Sequence, residues 1–521
     1  MSKFNQPRKP HELPGATRNY EGGLAFEKSP MQELYSLVCT ALMGENKFYE
    51  SGVKEDERLL HLIAQVAQDS PEFILKLAAY ARNKMYLRSV PVVLLVEASE
   101  IPECKPFVRK WTPHILRRAD EPQEAIAYWI SRKGDVGSRG KNPFPNSLKK
   151  GIADAFLQFD EYQIDKYNRG GAVTMRDVLR ICHPKPQTAK QDALFSYIID
   201  PSTFNPELLP KINMKKKFLK SEDFNKARQY IADGSITWEV ALSKFGNRAE
   251  VWNELDLPIM ATLRNLRNII ESGAEDAKQK AYDKLMNDEI IRRSKQLPFR
   301  FFSAYKSLAY TIGADKMLSA LSYALEVSTK NLPTLPGKTL IMCDNSGSMS
   351  HNISGRSNVT CSDIANILGA MSNRFSEDAL VVSFATSFSP VALNPADSIL
   401  SNMDKIANVS VGYGTDAHKV IDWIIQRDLA FDRIIILSDM QCYSSSFKDD
   451  SLFQSTRKYV SKYGALPIYS VDLAGYCTAQ FPEELPSVFS ISGWSERIFD
   501  YIARTEEGPQ TAIEEIKAMQ A

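Results

Sequence analysis

The chain has 521 residues, 44% of them apolar and 24% charged, with a formal net charge of +1. That length exceeds one ordinary core and calls for two or more domains, and the composition is that of a soluble globular protein. No apolar run approaches the ~20 residues of a membrane span, and Met1–Tyr20 lacks the apolar h-region of a secretory signal. Seven scattered cysteines without a C-x-x-C spacing read as reduced, buried thiols, so a cytoplasmic location is expected. The near-neutral total hides an asymmetry. From Pro336 onward 14 basic residues face 22 acidic ones, whereas the part before it carries 50 against 41. This pattern points to an anionic partner for the first part and a cation for the second.

Residues 1–20, with Pro7, Pro10, Pro14 and Gly15, read as a flexible arm. Residues 21–330 carry helical periodicity almost throughout. In the clearest segment Ser70 is placed to cap, Pro71 takes the first helical position and Glu72 favours the positive helix end. Phe73, Leu77 and Tyr80 follow at i, i+4 and i+7. Similar stretches run over Met31–Met43, Glu55–Gln68, Glu121–Ile130, Leu148–Phe159 and Met317–Val327. Helices of this length with short turns suggest stacked pairs, an α-solenoid.

Residues 331–337, with two prolines and a glycine, read as a linker to a second domain over 338–521. Strand-length apolar runs follow at Thr339–Cys343, Leu380–Phe384, Arg433–Leu437 and Pro467–Val471. Helical stretches lie between them, at Cys361–Phe375 and Ala417–Arg427. Alternation of this kind indicates an α/β doubly wound parallel sheet, whose ligands bind at the carboxyl ends of the strands.

Asp344, Ser346 and Ser348 stand at alternate positions after the first of these strands. One carboxylate and two hydroxyls can converge there on a small hard cation such as Mg²⁺. Gly414-Thr415-Asp416 and Ser438-Asp439 add oxygen donors on two further loops. Capping of the next helix would need one oxygen and explains neither Thr415 nor Asp439. A phosphotransferase with Asp-x-Asp after the first strand would need a carboxylate at 346, where Ser stands, and no G-x-x-x-x-G-K-[ST] occurs. The set resembles the metal-ion-dependent adhesion site (MIDAS) of von Willebrand factor A domains. The resemblance implies that Ser346, Ser348 and Thr415 ligate Mg²⁺ through hydroxyls, and that Asp344 and Asp439 act directly or through water. One position is left for a partner's oxygen.

Before residue 335, cationic residues interleave with Tyr and Phe, a combination suited to RNA phosphates and bases. Arg176 and Arg180 are spaced i, i+4 with His183 three further on, so one helix face can present all three. A buried structural His183 before Pro184 is the competing reading. Arg139-Gly-Lys141 and Lys211–Lys217 are further basic clusters. The blocks Leu148–Phe156, Arg176–Pro186, Leu263–Asn268 and Leu297–Tyr305 resemble the TROVE domain of the Ro autoantigen family, including its bacterial members. With the A domain, the likeness covers about residues 20–515. It implies HEAT-like helical repeats forming a ring closed by the A domain. It also implies small non-coding Y RNA on the outer surface, single-stranded ends of structured or misfolded RNA in a central hole, and a Y RNA tether to a 3′→5′ exoribonuclease such as polynucleotide phosphorylase. Lys149, Lys150, Arg176, Arg180 and His183 match the RNA-associated blocks. The expected function is an RNA-binding scaffold without catalysis, in RNA quality control, decay or stress response. The alternatives are a protein-interaction module that captures an acidic residue through Mg²⁺, and a metal-dependent nuclease or phosphatase.

Overall fold

The computed structural model describes residues 16–18, 24–26, 30–40, 52–133, 143–231, 236–330, 332–352, 359–439, 452–473, 488–492, 497–506 and 509–521. The Arg139–Lys141 cluster and most of the expected arm lie outside these residues. β1 (Ala16–Arg18), at the end of the expected arm, pairs antiparallel with β2 (Leu24–Phe26) just beyond it.

Helices then succeed one another from Pro30 to Thr329. The 70–81 pattern becomes helix Pro71–Asn83 with proline in its first turn, although the Ser70 side chain makes no capping hydrogen bond. Helices Pro71–Asn83, Lys105–Ile115, Asn146–Phe156 and Met175–Cys182 stack in succession, each on the next. A second row, Gly52–Asp69, Ser89–Glu100 and Glu121–Lys133, packs alongside. The apolar faces of both rows merge into one core from Leu34 to Ile212.

The second domain is a six-stranded sheet in the order β5-β4-β3-β6-β7-β8. Its strands are β3 (Leu335–Asp344), β4 (Ser376–Phe384), β5 (Phe388–Val391), β6 (Arg433–Ser438), β7 (Ile468–Asp472) and β8 (Val488–Ser492). All pairings are parallel except β4–β5. The first strand begins at Leu335, inside the segment read as a linker. β5 and β8 escaped the sequence reading. The first is a four-residue edge strand containing Pro390, which edges tolerate, and the second has no long apolar run.

Side chains alternate across β3. Ile341 and Cys343 join helices Ile259–Glu271, Pro298–Leu308 and Asp315–Thr329 in one core, so this face of the sheet is shared with the helical domain. Leu340 and Met342 face the other way, beneath helices His418–Gln426 and Leu452–Tyr463. Helix Cys361–Phe375 packs on the shared face, where Gly369 is required. A Cβ there would lie 2.3 Å from Cys343 Sγ. Polar ties reinforce the joint: Lys306 Nζ is 3.1 Å from Asp363, Arg374 pairs with Glu326, and Ile399 N donates to Glu326 at 2.7 Å.

The chain also closes on its own beginning. Helix Pro509–Ala518 packs on helices Pro30–Thr40 and Pro71–Asn83, and Ala512, Ile513 and Ile516 belong to the core of the first repeats. Arg504 donates to the Tyr80 hydroxyl and lies over its ring, and Lys76 Nζ donates to Lys517 O at 2.6 Å. The helical array thus becomes a closed circuit with the sheet domain as its final link. Ile516 is fully buried at this seam. Ile516→Ala is expected to cost about 2–5 kcal/mol in a urea unfolding titration, the range for a truncated core aliphatic.

Candidate metal centre and nucleic-acid interface

In sequence order the sheet runs third-second-first-fourth-fifth-sixth, so the connections reverse direction between β3 and β6. Crevices at such a reversal receive ligands. Asp344 closes β3 and Asp439 directly follows β6, both fully buried. Asp344 Oδ1 accepts from Ser346 N at 2.9 Å and Oδ2 from Ser438 Oγ at 2.6 Å. That fixes the carboxylate between the first and third loops. Ser346 Oγ and Ser348 Oγ lie 3.1 Å apart, and Ser346 does not cap the following turn, Gly347–Ser350.

The second loop is tied to the first through Gly347 N, which donates to Tyr413 O at 3.0 Å. Thr415 is 4% exposed beside it. Thr386 organises this loop. Its Oγ1 accepts from Gly414 N at 2.6 Å and Tyr413 N at 3.2 Å, and a Cβ on Gly414 would meet that oxygen at 2.9 Å. Asn345 Nδ2 donates to Asn366 Oδ1 at 3.0 Å and to Ser383 Oγ at 2.8 Å, and Asn366 Nδ2 returns a bond to Asn345 Oδ1 at 2.9 Å. The sequence reading missed Thr386, Asn366 and Ser383, because none belongs to a recognisable motif. Asn345, inside the D-x-S-x-S run, was the findable one.

Hydrogen bonds thus join Asp344, Ser346, Ser348 and Ser438, and Asp439 is close enough to act electrostatically. Burial pushes the Asp344 carboxyl up to about 6. The Ser438 and Ser346 hydrogen bonds oppose that rise, and the Asp439 charge adds to it. No lysine or arginine pairs with Asp344 among the described residues. Two buried acids flanked by hydroxyls therefore lack a neutralising side chain on Asp344. The donors are hard oxygens, which fit Mg²⁺, and no group of three His, Cys, Asp or Glu that could hold a metal occurs among the described residues.

The five basic candidates come together on two adjoining helices. Gly151 allows the first, Asn146–Phe156, to lie against Lys105–Ile115: a Cβ would sit 2.4 Å from Thr112 Oγ1 and 3.2 Å from Arg109 Cα. Lys149 and Lys150 immediately precede this contact. The second helix, Met175–Cys182, starts in a capping box. Asp177 N donates to Thr174 Oγ1 at 3.3 Å and Thr174 N to Asp177 Oδ2 at 2.8 Å. Arg176, Arg180 and His183 are all exposed, so the buried reading of His183 is set aside. Arg176 Nε donates to Ile198 O at 3.2 Å, and the Thr174 hydrogen bonds, with Arg180 and Arg176 nearby, hold the Asp177 carboxyl below its usual range. The Lys149 ammonium lies near Cys182 and partly offsets the burial that pushes that thiol up to about 12.

His183 ends its helix at φ 50°, ψ 54°, a left-handed conformation that glycine or asparagine usually takes. Two other sequence signals proved structural. Lys211 pairs with Asp160 at 3.4 Å and Lys215 with Asp165 at 2.7 Å, while Lys216 Nζ sits 3.6 Å from the Phe204 ring centroid. Phe299, Phe301 and Phe302, read as potential stacking rings, are buried in the core shared with the sheet.

Residues 28–230 and 217–318 match the TROVE domain model, together more than half of the chain, and residues 338–503 match the Ro60 vWA domain. The chain belongs to the TROVE-domain Ro family. The RNA-binding protein RO60 of Deinococcus radiodurans is 22% identical to this Ro-family chain over 508 residues, 90% of each. The crystal structure of the Deinococcus radiodurans RO (RSR) protein shares the fold, with a TM-score of 0.75 at 17% identity, covering 92% of this chain and 100% of that one. Telomerase protein component 1 of Rattus norvegicus is 28% identical over 330 residues, 53% of this chain. The Mus musculus protein is 27% identical over 333 residues. The match takes in 12% of the length of each telomerase component.

Two outcomes are expected of this Ro-family protein. Gly151→Ala should destabilise it by about 1–3 kcal/mol, as overpacking at a close helix contact does, read from a thermal or denaturant melt. The second concerns Asp344, whose folded-state pKa lies above the unfolded carboxylate value of ~3.9. Its contribution to stability is therefore fully present below that value and is lost as pH rises through about 6. In chelator, melting temperature should fall between about pH 4 and pH 6. An Asp344→Asn protein should lack that component of the fall.

Proposed function

We propose that this protein is an RNA-binding ring scaffold without catalysis of its own. The observation that carries the reading is the basic face of Lys150, Arg176, Arg180 and His183, all exposed, with Lys149 half-buried beside them. Two helices packed on each other bring it together within the TROVE region. Two lysines, two arginines and an imidazole within three helical turns suit the phosphate backbone. A histidine held in a left-handed cap adds a flat ring for a base edge or face. The Deinococcus relative, called an RNA-binding protein, supports the same reading.

In this reading a small Y-type RNA binds the outer surface at that face. Single-stranded ends of structured or misfolded RNA enter a central hole. A 3′→5′ exoribonuclease such as polynucleotide phosphorylase is the partner brought to them, in the cytoplasm, during RNA quality control, decay or stress. The proposal also assigns Mg²⁺ to Asp344, Ser346, Ser348, Thr415 and Asp439. When bound, the ion supplies an electrophilic position for an oxygen ligand. The protein's own part is to hold Asp344 between Ser346 and Ser438 and to keep both acids out of water.

A second reading, capture of a partner's acidic residue at that position, is favoured by Tyr413. It is 86% exposed, and its carbonyl is held by the first metal loop. An exposed aromatic beside a charge-accepting site is the kind of anchor that protein interfaces use.

Changing Arg176, Arg180 and His183 together to alanine should weaken retention of small RNA in a filter assay and flatten the dependence of log K on log salt by about two phosphate contacts. An unchanged isotherm with an unchanged melt would remove the assignment. Mg²⁺ should raise the melting temperature more at pH 7 than at pH 5 and leave Asp344→Asn unaffected, because the ion takes the ionised carboxylate.

A further inference from the structure

The sheet domain is acidic as a whole, yet one of its helices is the reverse. Leu452–Tyr463 contains Arg457, Lys458 and Lys462 and no acidic residue. Its apolar side, Leu452 and Tyr459, faces the core on the side of the sheet away from the helical domain. The opposite side is exposed and lined by Gln454, Arg457, Lys458, Ser461 and Lys462, which border a shallow depression of about 640 Å³. These positions, i, i+3, i+4, i+7 and i+8, make one continuous helix stripe.

The cations are not equivalent. Lys462 is engaged, 2.9 Å from Asp428 and donating to Ile425 O at 3.1 Å, so it serves the fold. Arg457 lies over the Phe453 ring at 5.8 Å, which orients the guanidinium along the stripe. Lys458 is exposed and has no ion-pair partner among the described residues. Two polar neutral side chains, Gln454 and Ser461, flank them.

We propose that this stripe is a second polyanion site and that its occupant is the phosphate backbone of the same RNA, reaching the sheet domain from the helical repeats. Arg, Lys, Ser and Gln are the side chains that contact phosphate oxygens, and the stripe contains nothing else. An acidic protein partner would call for an apolar or aromatic anchor at the centre of the contact, and the lining has none. The site tracks backbone without reading bases, since it has no exposed ring to stack on. This inference rests on the RNA-binding reading above and adds to it a contact in the other domain.

The test uses full-length protein and a single-stranded RNA long enough to leave the helical repeats, compared with a short oligonucleotide. Arg457→Gln with Lys458→Gln should lower the slope of log K against log salt by about 1.4 for the long RNA, the value for two contacts on a single strand. The short oligonucleotide should bind as before, and a melt of the variant checks that its fold is intact. Equal slopes for native and variant protein on the long RNA would overturn the second site while leaving the first intact. So would a parallel loss on the short oligonucleotide, which would point to a general field effect. Native protein that binds neither RNA would overturn the RNA reading itself.

Discussion

The burial of one strand governs the rest of the molecule. β3 has a parallel neighbour on each side and a covered face above and below, so its backbone and its side chains are both fixed. One face of it completes the last helical repeats and the other completes the sheet domain. At its carboxyl end the same burial carries Asp344 out of water, where a carboxylate is stable only with partners. Ser346 and Ser438 provide hydrogen bonds, and the nearby Asp439 works against them. Two acids thus stand at that strand end, and among the described residues no lysine or arginine pairs with the first.

The basic face of the helical domain arises differently. There the scaffold is a stack of helices whose spacing is set by small residues, and Gly151 brings two of them into backbone contact. The helix that carries Gly151 also packs on Met175–Cys182, which brings Lys149 near Cys182 at the end of the helix that carries Arg176 and Arg180. The cations themselves do little for folding: Arg180 and Lys150 point to solvent, and exposed charges of this sort add little stability. By contrast, Lys211 and Lys215 of the 211–217 run are spent on interhelix ion pairs. A cation that forms an interhelix pair and one that stays solvated look alike in a sequence. Only the placement of Asp160 and Asp165 separates them.

Much of the architecture was legible because periodicity changes at a proline- and glycine-bearing boundary. Helix Cys361–Phe375 and the central strands were readable from apolar spacing alone. D-x-S-x-S after a buried strand marked the oxygen cluster at the end of β3, where hydrogen bonds join Asp344, Ser346, Ser348 and Ser438. Edge strands were not legible. β5 is short and carries a proline, and β8 has no strong apolar signature. Thr386, Asn366 and Ser383 were hidden for another reason: they shape the site through hydrogen bonds to backbone and amides, and such roles leave no spacing to detect. The phenylalanines of Pro298–Leu308 misled in the opposite sense, because an apolar ring beside arginine fits a core and a stacking platform equally well. The left-handed turn at His183 follows from tertiary placement and has no sequence marker of its own.

The seam at Pro509–Ala518 has a consequence in time. Lys76 and Lys517, bonded across it, are 441 residues apart, and Ile516 fills a core otherwise built from the first helices. On a ribosome adding ~5–20 residues per second, the early repeats would wait tens of seconds for that piece. During that interval the apolar faces of Pro30–Thr40 and Pro71–Asn83 stand open to solvent. The first repeats made are therefore the last to be completed, and the growing chain needs shelter at its beginning rather than at its end.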